Sequence, residues 1–122
     1  MDSVPRNGIR PWTEPRTLEI EWFGSPHDMC EAFAGLRTAG DPAVGHALSI
    51  TDGGIGLDRA SFPEVWFKGG SEPGVLTLNH LARTADGRVL VSSLMLSDPD
   101  RAPPGSSRAE AMALVRGGLE LA

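Results

Sequence analysis

The sequence predicts a single α+β domain in which helices pack on the faces of an antiparallel sheet of three to four strands. Its 122 residues are 40% hydrophobic and 22% charged, which is typical of one soluble globular domain. Apolar residues at helical spacing and apolar residues at period two occupy separate stretches of the chain. The later strand-like stretches are joined by short turns containing glycine, which favours antiparallel pairing.

The first elements are an arm and a strand. Residues 1–16 contain three prolines and no periodic apolar pattern, so we predict a flexible Pro/Arg-rich arm without its own fold. Over residues 17–22, Leu18, Ile20 and Trp22 alternate with polar residues, which predicts a half-buried strand. The folded domain is therefore predicted to span residues 17–122.

The strongest local signal is a helix from about residue 26 to residue 39. Ser25 is a capping residue, Pro26 suits the first helical position, and Asp28 places an acid in the first turn. Apolar residues follow at spacings of four and three, and Gly40 supplies the stop.

The remaining elements follow from the same signals. The glycine pair after Lys68 is expected to end a short strand, and Pro103–Gly105 separates the sheet from a closing helix. The predictions are a helix over 42–50, a loop over Thr51–Gly56, strands over Val65–Lys68, Val75–Arg83 and Val89–Leu96, turns over Ser71–Gly74 and Ala85–Gly87, and a helix capped by Ser106 or Ser107. Because the last strand is apolar on both faces, helices are expected on both faces of the sheet.

Charge and composition exclude several classes of function. Sixteen acidic and eleven basic residues give a net charge of -5, which disfavours nucleic-acid and membrane-surface partners. No secretory signal or membrane-spanning run is present in the sequence, so we expect a cytoplasmic protein. One cysteine, Cys30, excludes a disulfide framework. His27, His46 and His80 lack metal-ligand spacing, and we predict neither metal nor cofactor.

The most informative chemical feature is the lone lysine. Lys68 is the only lysine among eleven basic residues, and it stands at the end of an apolar run before Gly69 and Gly70. Two residues without side chains leave an ammonium beside an approachable backbone edge, which suits a carboxylate. An N–H of Gly70 or Ser71 would then face a ligand carbonyl oxygen. The alternative interpretation is a solvated lysine before a glycine turn.

Four segments carry a resemblance to a known family. They are the run Val65–Leu76 (VWFKGGSEPGVL), a hairpin ending in Ser97–Pro99, the closing helix, and Gly24–Met29 (GSPHDM). Together they resemble the C-terminal part of the class A β-lactamase-related serine hydrolases over residues 18–122. The resemblance implies an antiparallel sheet flanked by helices, with a Lys-Thr/Ser-Gly strand at the edge of the active site.

The resemblance also implies roles for four residues. Lys68 would be the lysine that binds the substrate carboxylate and supports proton transfer. Gly69 would stand at the hydroxyl position, Gly70 at the family's glycine, and Ser71 would supply an N–H to the oxyanion hole. Gly69 departs from the pattern because it has no hydroxyl.

A larger departure concerns the nucleophile. The family uses the serine of Ser-x-x-Lys, whereas Val65 stands three residues before the only lysine of this sequence. The sequence thus favours a truncated or split β-lactamase-like serine hydrolase portion that is inactive alone. The alternative is a non-catalytic ligand-binding or assembly module. A cysteine-dependent enzyme using Cys30 and His27 is a third hypothesis.

The resemblance finally implies a partner. The family pairs its last strand on both sides, so the strand over residues 89–96 would here present an open apolar edge. Residues 18–22, a second copy of the chain or a complementing N-terminal polypeptide would cover it. The expected partners are therefore a carboxylate-bearing small molecule and either a homo-oligomer or such a polypeptide.

Overall fold

The computed structural model describes residues 24–98, 100 and 106–122. Within these ranges, three helices and three strands follow one another in the order α1 (Pro26–Ala39), α2 (Pro42–Ser49), β1 (Glu64–Glu72), β2 (Val75–Arg83), β3 (Val89–Ser97) and α3 (Ser107–Leu121). This α+β composition confirms the predicted fold class. The predicted arm over 1–16 and the predicted strand over 17–22 lie outside the described residues.

Helix α1 begins and ends as the sequence predicts because both caps form. Asp28 N donates to Ser25 Oγ at 3.2 Å, and Ser25 N donates to Asp28 Oδ2 at 2.7 Å, which completes a capping box. The hydrogen bonds from the Ser25 backbone and side chain lower the pKa of Asp28. At the other end Gly40 adopts a left-handed φ of 67°.

The other helices differ slightly from the predictions. Helix α2 ends at Ser49, one residue early, and starts with Ala43 N donating to Asp41 Oδ1 at 2.8 Å. Helix α3 begins at Ser107, but Ser106 makes no capping bond through its side chain. The predicted serine cap is therefore wrong, because Ser106 already has helical dihedral angles, whereas a side-chain cap requires extended ones.

The three strands form one antiparallel sheet in the order β1-β2-β3. The prediction that Gly69 and Gly70 end the first strand is wrong. β1 continues through both glycines, which pair with Leu78 and Thr77, and stops at Glu72. An extended backbone needs no side chain to hold its ladder, and the partner strand supplies the order that glycine lacks. The turn is accordingly shorter than predicted and consists of Pro73 and Gly74 alone.

Two apolar cores lie on opposite faces of the sheet, which confirms the prediction of helices on both. On the α3 face, β1 and β2 pack against α3. On the α1 face, Trp66 and Leu81 pack against Phe33 of α1, with Met29, Leu48 and Val91 around them. The fully buried side chains of the α3 face include Val65, Leu76, Leu78, Ala82, Val115 and Leu119.

An ion-paired glutamate fixes α1 over one end of the sheet. Glu64, at the start of β1, accepts from Arg37 Nη1 of α1 at 3.0 Å and from Arg83 Nε of β2 at 3.0 Å. The Arg37 guanidinium also lies 5.7 Å from the Trp66 ring centroid. The C-terminal end of α1 is therefore held where β1 begins.

The alternation of hydrogen bonds in the sheet decides which peptide groups face its open edges, meaning the outer sides of β1 and β3, which pair with no other described strand. Thr84 N donates to Arg88 O at 2.9 Å, and Asp98 N donates to Gly74 O at 2.8 Å, so even-numbered residues of β2 bond to β3. The ladder alternates, so odd-numbered residues of β2 bond to β1. It follows that odd-numbered residues of β1 and of β3 turn their N–H and C=O groups away from β2.

One histidine is buried in the α3 face. His80 has 0% exposure, and its Nε2 lies 3.1 Å from the carbonyl oxygen of Asp52. Its ring centroid lies 4.8 Å from that of Phe67, and its Nδ1 has no hydrogen-bond partner among the described residues. Burial lowers the pKa of His80, and the hydrogen bond and charge of Asp52 oppose this only in part. The folded protein therefore holds a neutral imidazole.

This histidine should make stability depend on pH. Between the lowered pKa of His80 and its ordinary value of about 6.5, the unfolded chain binds a proton that the folded protein does not bind. The free energy of unfolding is therefore highest above about pH 6.5 with respect to this group, and it falls as the pH is lowered through that range. Urea unfolding at about pH 7.5 and about pH 5.5 should show this fall, and His80→Gln should reduce it. His46→Gln is the exposed control, and an equal fall in all three proteins would contradict the assignment.

Candidate functional site

Lys68 lies midway along β1 with its side chain on the α1 face, opposite Asn79 of β2. The side chain is exposed, and Nζ donates to the carbonyl oxygen of Gly69 at 2.9 Å. Gly69 is an odd-numbered residue of β1, so this carbonyl faces the open edge and draws the ammonium toward it. No carboxylate among the described residues forms an ion pair with Lys68.

A polar row across the sheet holds the backbone of Lys68. Asn79 is buried at 3% exposure, and its Nδ2 donates to the Lys68 carbonyl oxygen at 2.9 Å. Ser93 Oγ of β3 donates to Asn79 Oδ1 at 2.7 Å. These bonds link all three strands at one level. Sequence reasoning missed Asn79 and Ser93, although a polar residue inside an apolar strand is a usable signal.

Gly69 is required by the packing of an aromatic ring. A Cβ at this position would lie 2.5 Å from Phe67 Cζ and 3.0 Å from the Thr77 carbonyl oxygen. Gly53, with a φ of 69°, meets the same ring, since a Cβ there would lie 2.7 Å from it. The Phe67 ring therefore fits between two glycines, and it occupies the space that a larger residue at position 69 would need.

The two predicted N–H donors differ in direction. Ser71 is odd-numbered and turns its N–H to the open edge of β1, whereas Gly70 turns its N–H toward Thr77 of β2. Both residues are exposed. The structure thus brings Lys68, Gly69 and Ser71 together along one edge and directs the Gly70 N–H into the sheet. Gly69 and Ser71 are two residue steps apart on the extended strand, or about 7 Å.

A cavity elsewhere does not contain this group. It measures about 430 Å³ and is lined by residues of the β2–β3 turn and of α3, including Thr84, Asp86, Arg88 and Glu120. Arg88 is bound there by Asp86 at 3.2 Å and by the Ala122 carbonyl oxygen at 2.7 Å. The hydrogen bond from Thr84 is the main cause that lowers the pKa of Asp86. This cavity lies on the α3 face at the end of the sheet away from Ser71.

Other candidate chemistry is weaker. His27 is exposed and Cys30 half-buried on α1. Within residues 24–98, 100 and 106–122, no three His, Cys, Asp or Glu side chains lie together as metal ligands. None of the helices in that part of the chain has the length and hydropathy needed to cross a bilayer.

Comparison with known proteins adds no family. The chain matched no protein-family model, no curated protein and no solved structure. The resemblance to the β-lactamase-related hydrolases therefore stays a prediction from the sequence. What the arrangement can do chemically follows from its own residues: an ammonium that forms no ion pair with a described residue and an outward N–H can bind an anion and a carbonyl oxygen side by side.

The neighbouring glycines should respond differently to one added methyl group. Gly69→Ala should lower the free energy of unfolding by about 1–3 kcal/mol, because the methyl overlaps the Phe67 ring and the Thr77 carbonyl. Gly70→Ala is the matched control, since its Cβ would lie 3.4 Å from Thr77 Oγ1. Alanine there should be neutral or slightly stabilising. Urea unfolding compares the two, and equal losses would contradict the packing argument.

Proposed function

We propose that this chain is a portion of a β-lactamase-like serine hydrolase that binds a carboxylate-bearing small molecule along β1 but does not hydrolyse it alone. The observation that carries the proposal is the exposed Lys68 ammonium beside the Gly69 carbonyl, on the same edge as the Ser71 N–H. A carboxylate and a carbonyl oxygen about 7 Å apart or less would reach both groups.

The edge of β1 adds backbone recognition to this charge. Gly69 and Ser71 turn both an N–H and a C=O outward, so an extended amide ligand can bind beside them as an added strand would. The missing side chain at Gly69 lets such a ligand approach the backbone closely. The Asn79 bond to the Lys68 carbonyl keeps this part of the edge in register.

The ion pair between Lys68 and a ligand carboxylate would by itself bind the ligand too weakly. An exposed ion pair contributes about 0–1 kcal/mol, whereas a dissociation constant of about 1 mM requires about 4 kcal/mol. The hydrogen bonds to Ser71 and Gly69 must supply most of the remainder. We therefore expect millimolar affinity, with the ammonium selecting for anions.

Hydrolysis requires an attacking group that these residues do not supply. Lys68 is the only lysine and has Val65 three positions before it, so the sequence contains no Ser-x-x-Lys. The nearest serine on the next strands, Ser93, donates its proton to an amide oxygen of Asn79 rather than to a base. Oxyanion contacts without a nucleophile do not support an acyl-enzyme cycle.

A non-catalytic ligand-binding or assembly module is the second candidate. It shares the carboxylate site but needs no missing nucleophile. The observation that favours it is the uncharged open edge of β3, which is suited to association.

Binding is testable with one anion and its neutral analogue. Titration with N-acetyl-β-alanine, which carries both a carboxylate and an amide carbonyl, followed by NMR of labelled protein, should shift the amides of Gly69 and Ser71, and its neutral C-terminal amide should shift them less. Lys68→Ala should weaken the binding of N-acetyl-β-alanine by about five- to tenfold, the effect of about 1 kcal/mol. Arg59→Ala, which removes another exposed cation, is the control. Equal affinities for the native protein and Lys68→Ala would exclude the site.

A second measurement addresses catalysis. The isolated chain should neither hydrolyse a chromogenic β-lactam above the buffer rate nor become labelled by a fluorescent penicillin, because both outcomes need a covalent nucleophile. An intact class A β-lactamase serves as the positive control. Turnover or labelling by the chain alone would refute the absence of a nucleophile.

A further inference from the structure

The open edge of β3 lacks the features that normally keep strand edges apart. Its nine residues, VLVSSLMLS, contain neither charge nor proline, although edge strands commonly carry such residues as protection. Among the described strands, β3 pairs only with β2. Val89 and Leu96 at its two ends are 44% and 37% exposed.

We propose that two copies of this chain form a homodimer in which their β3 strands pair antiparallel across a two-fold axis at Ser93. The two sheets then become one sheet of six strands. The proposal concerns β3, on the opposite side of β2 from Lys68, so it stands or falls independently of the carboxylate site.

The register of β3 is self-complementary. Its outward-facing peptide groups belong to the odd-numbered residues, and a two-fold axis at Ser93 opposes odd residues to odd residues throughout. All five outward-facing residues then hydrogen-bond to the partner. Two of the opposed pairs are apolar on both sides, since Leu90 faces Leu96 and Val91 faces Met95. In two others, Val89 with Ser97 and Ser92 with Leu94, an apolar side chain faces a serine, and Ser93 faces its own copy.

The helix spacing on the α3 face fits such a dimer. Helix α3 packs on both β2 and β3, so its axis lies about one strand spacing from the two-fold axis. With strands about 4.8 Å apart, the two copies of α3 would lie about 10 Å apart, a normal distance for packed helices.

The flank of α3 that faces the axis carries exposed leucines, with the exposed Glu110 on the same flank one turn before the first of them. Arg116 reaches toward Gly56 and Glu120 lines the cavity near Asp58, so their flank faces the loop before β1. The opposite flank carries Leu114 and Leu121, which are 69% and 91% exposed. A Cβ added at Gly117 or Gly118, which lie between them, would meet no described residue within 4 Å other than the backbone of α3 itself. This flank therefore offers leucines and a gap at the point where the partner's helix would pack.

The axis also brings the two copies of α1 close to each other. Helix α1 packs around Val91 through Phe33 and Met29, and Val91 lies on one side of Ser93. The two copies of Val91 would lie about 13 Å apart along the strands, which is less than the length of about 21 Å spanned by the 14 residues of α1, so the two helices would lie beside each other. Met95 of each copy is half-buried and would lie beside Val91 of the other copy, close to its α1.

The oligomeric state tests the proposal directly. Sedimentation velocity should give a dimer for the full chain at about 100 µM. Met95→Lys should weaken dimerisation at least about 100-fold, because the two-fold axis buries two ammonium groups. Ile50→Lys is the matched control, since Ile50 is 75% exposed and lies at the end of α2, and it should remain dimeric. Circular dichroism should show native folding of both variants.

Cross-linking tests the register. In a Cys30→Ser background, Ser93→Cys should link two chains through a short bis-thiosulfonate reagent, because the two positions 93 are directly opposed. Ser92→Cys should link far less, since its counterpart is displaced diagonally by about 7–8 Å. A native chain that is monomeric at about 100 µM would overturn the proposal. That result would mean that residues 17–22 or another polypeptide, and not a second copy, covers the edge of β3. A dimer that Met95→Lys leaves intact would overturn it as well.

Discussion

The burial of β2 on both faces is the constraint from which the rest of the structure follows. Leu78, His80, Leu81 and Ala82 are each 0% exposed, which requires helices above and below the sheet. As the central strand, β2 also sets the hydrogen-bond alternation of its two neighbours. This alternation is the reason why the N–H of Ser71, and not that of Gly70, faces the outer side of β1. It is also the reason why the peptide groups of Ser93 face the outer side of β3.

The sequence predicts the elements well where the signal is local. Helix α1 agrees in both bounds because Ser25, Asp28 and Gly40 each satisfy a terminal backbone group within a few residues. The strand Val75–Arg83 agrees as well. The predictions fail where another strand of the sheet determines the extent of an element. β1 continues through Gly69 and Gly70 because β2 pairs with them. Likewise, nothing local in the sequence reveals that the backbone at Ser106 is already helical.

The sequence predicts only part of the candidate site. The rarity of lysine draws attention to Lys68, but its environment depends on strands that are distant along the chain. Asn79 and Ser93 become relevant only once the register places them beside it. The glycine at position 69 has a physical cause that spacing does not reveal, since the Phe67 ring needs room between the strand at Gly69 and the loop at Gly53. Packing on the α3 face thus limits which side chains the edge of β1 can offer.

The unlike character of the two open edges has a consequence for assembly. A protein whose two sheet edges could both pair with another copy would add copies end to end and grow into fibres. Here the edge beyond β1 carries a charged Lys68, and its glycines supply no side chains to interlock with another sheet. Charged residues at such an edge disfavour its pairing with another sheet and so prevent open-ended growth. The lysine that we propose to bind a small anion would also make this edge a poor template for polymerisation.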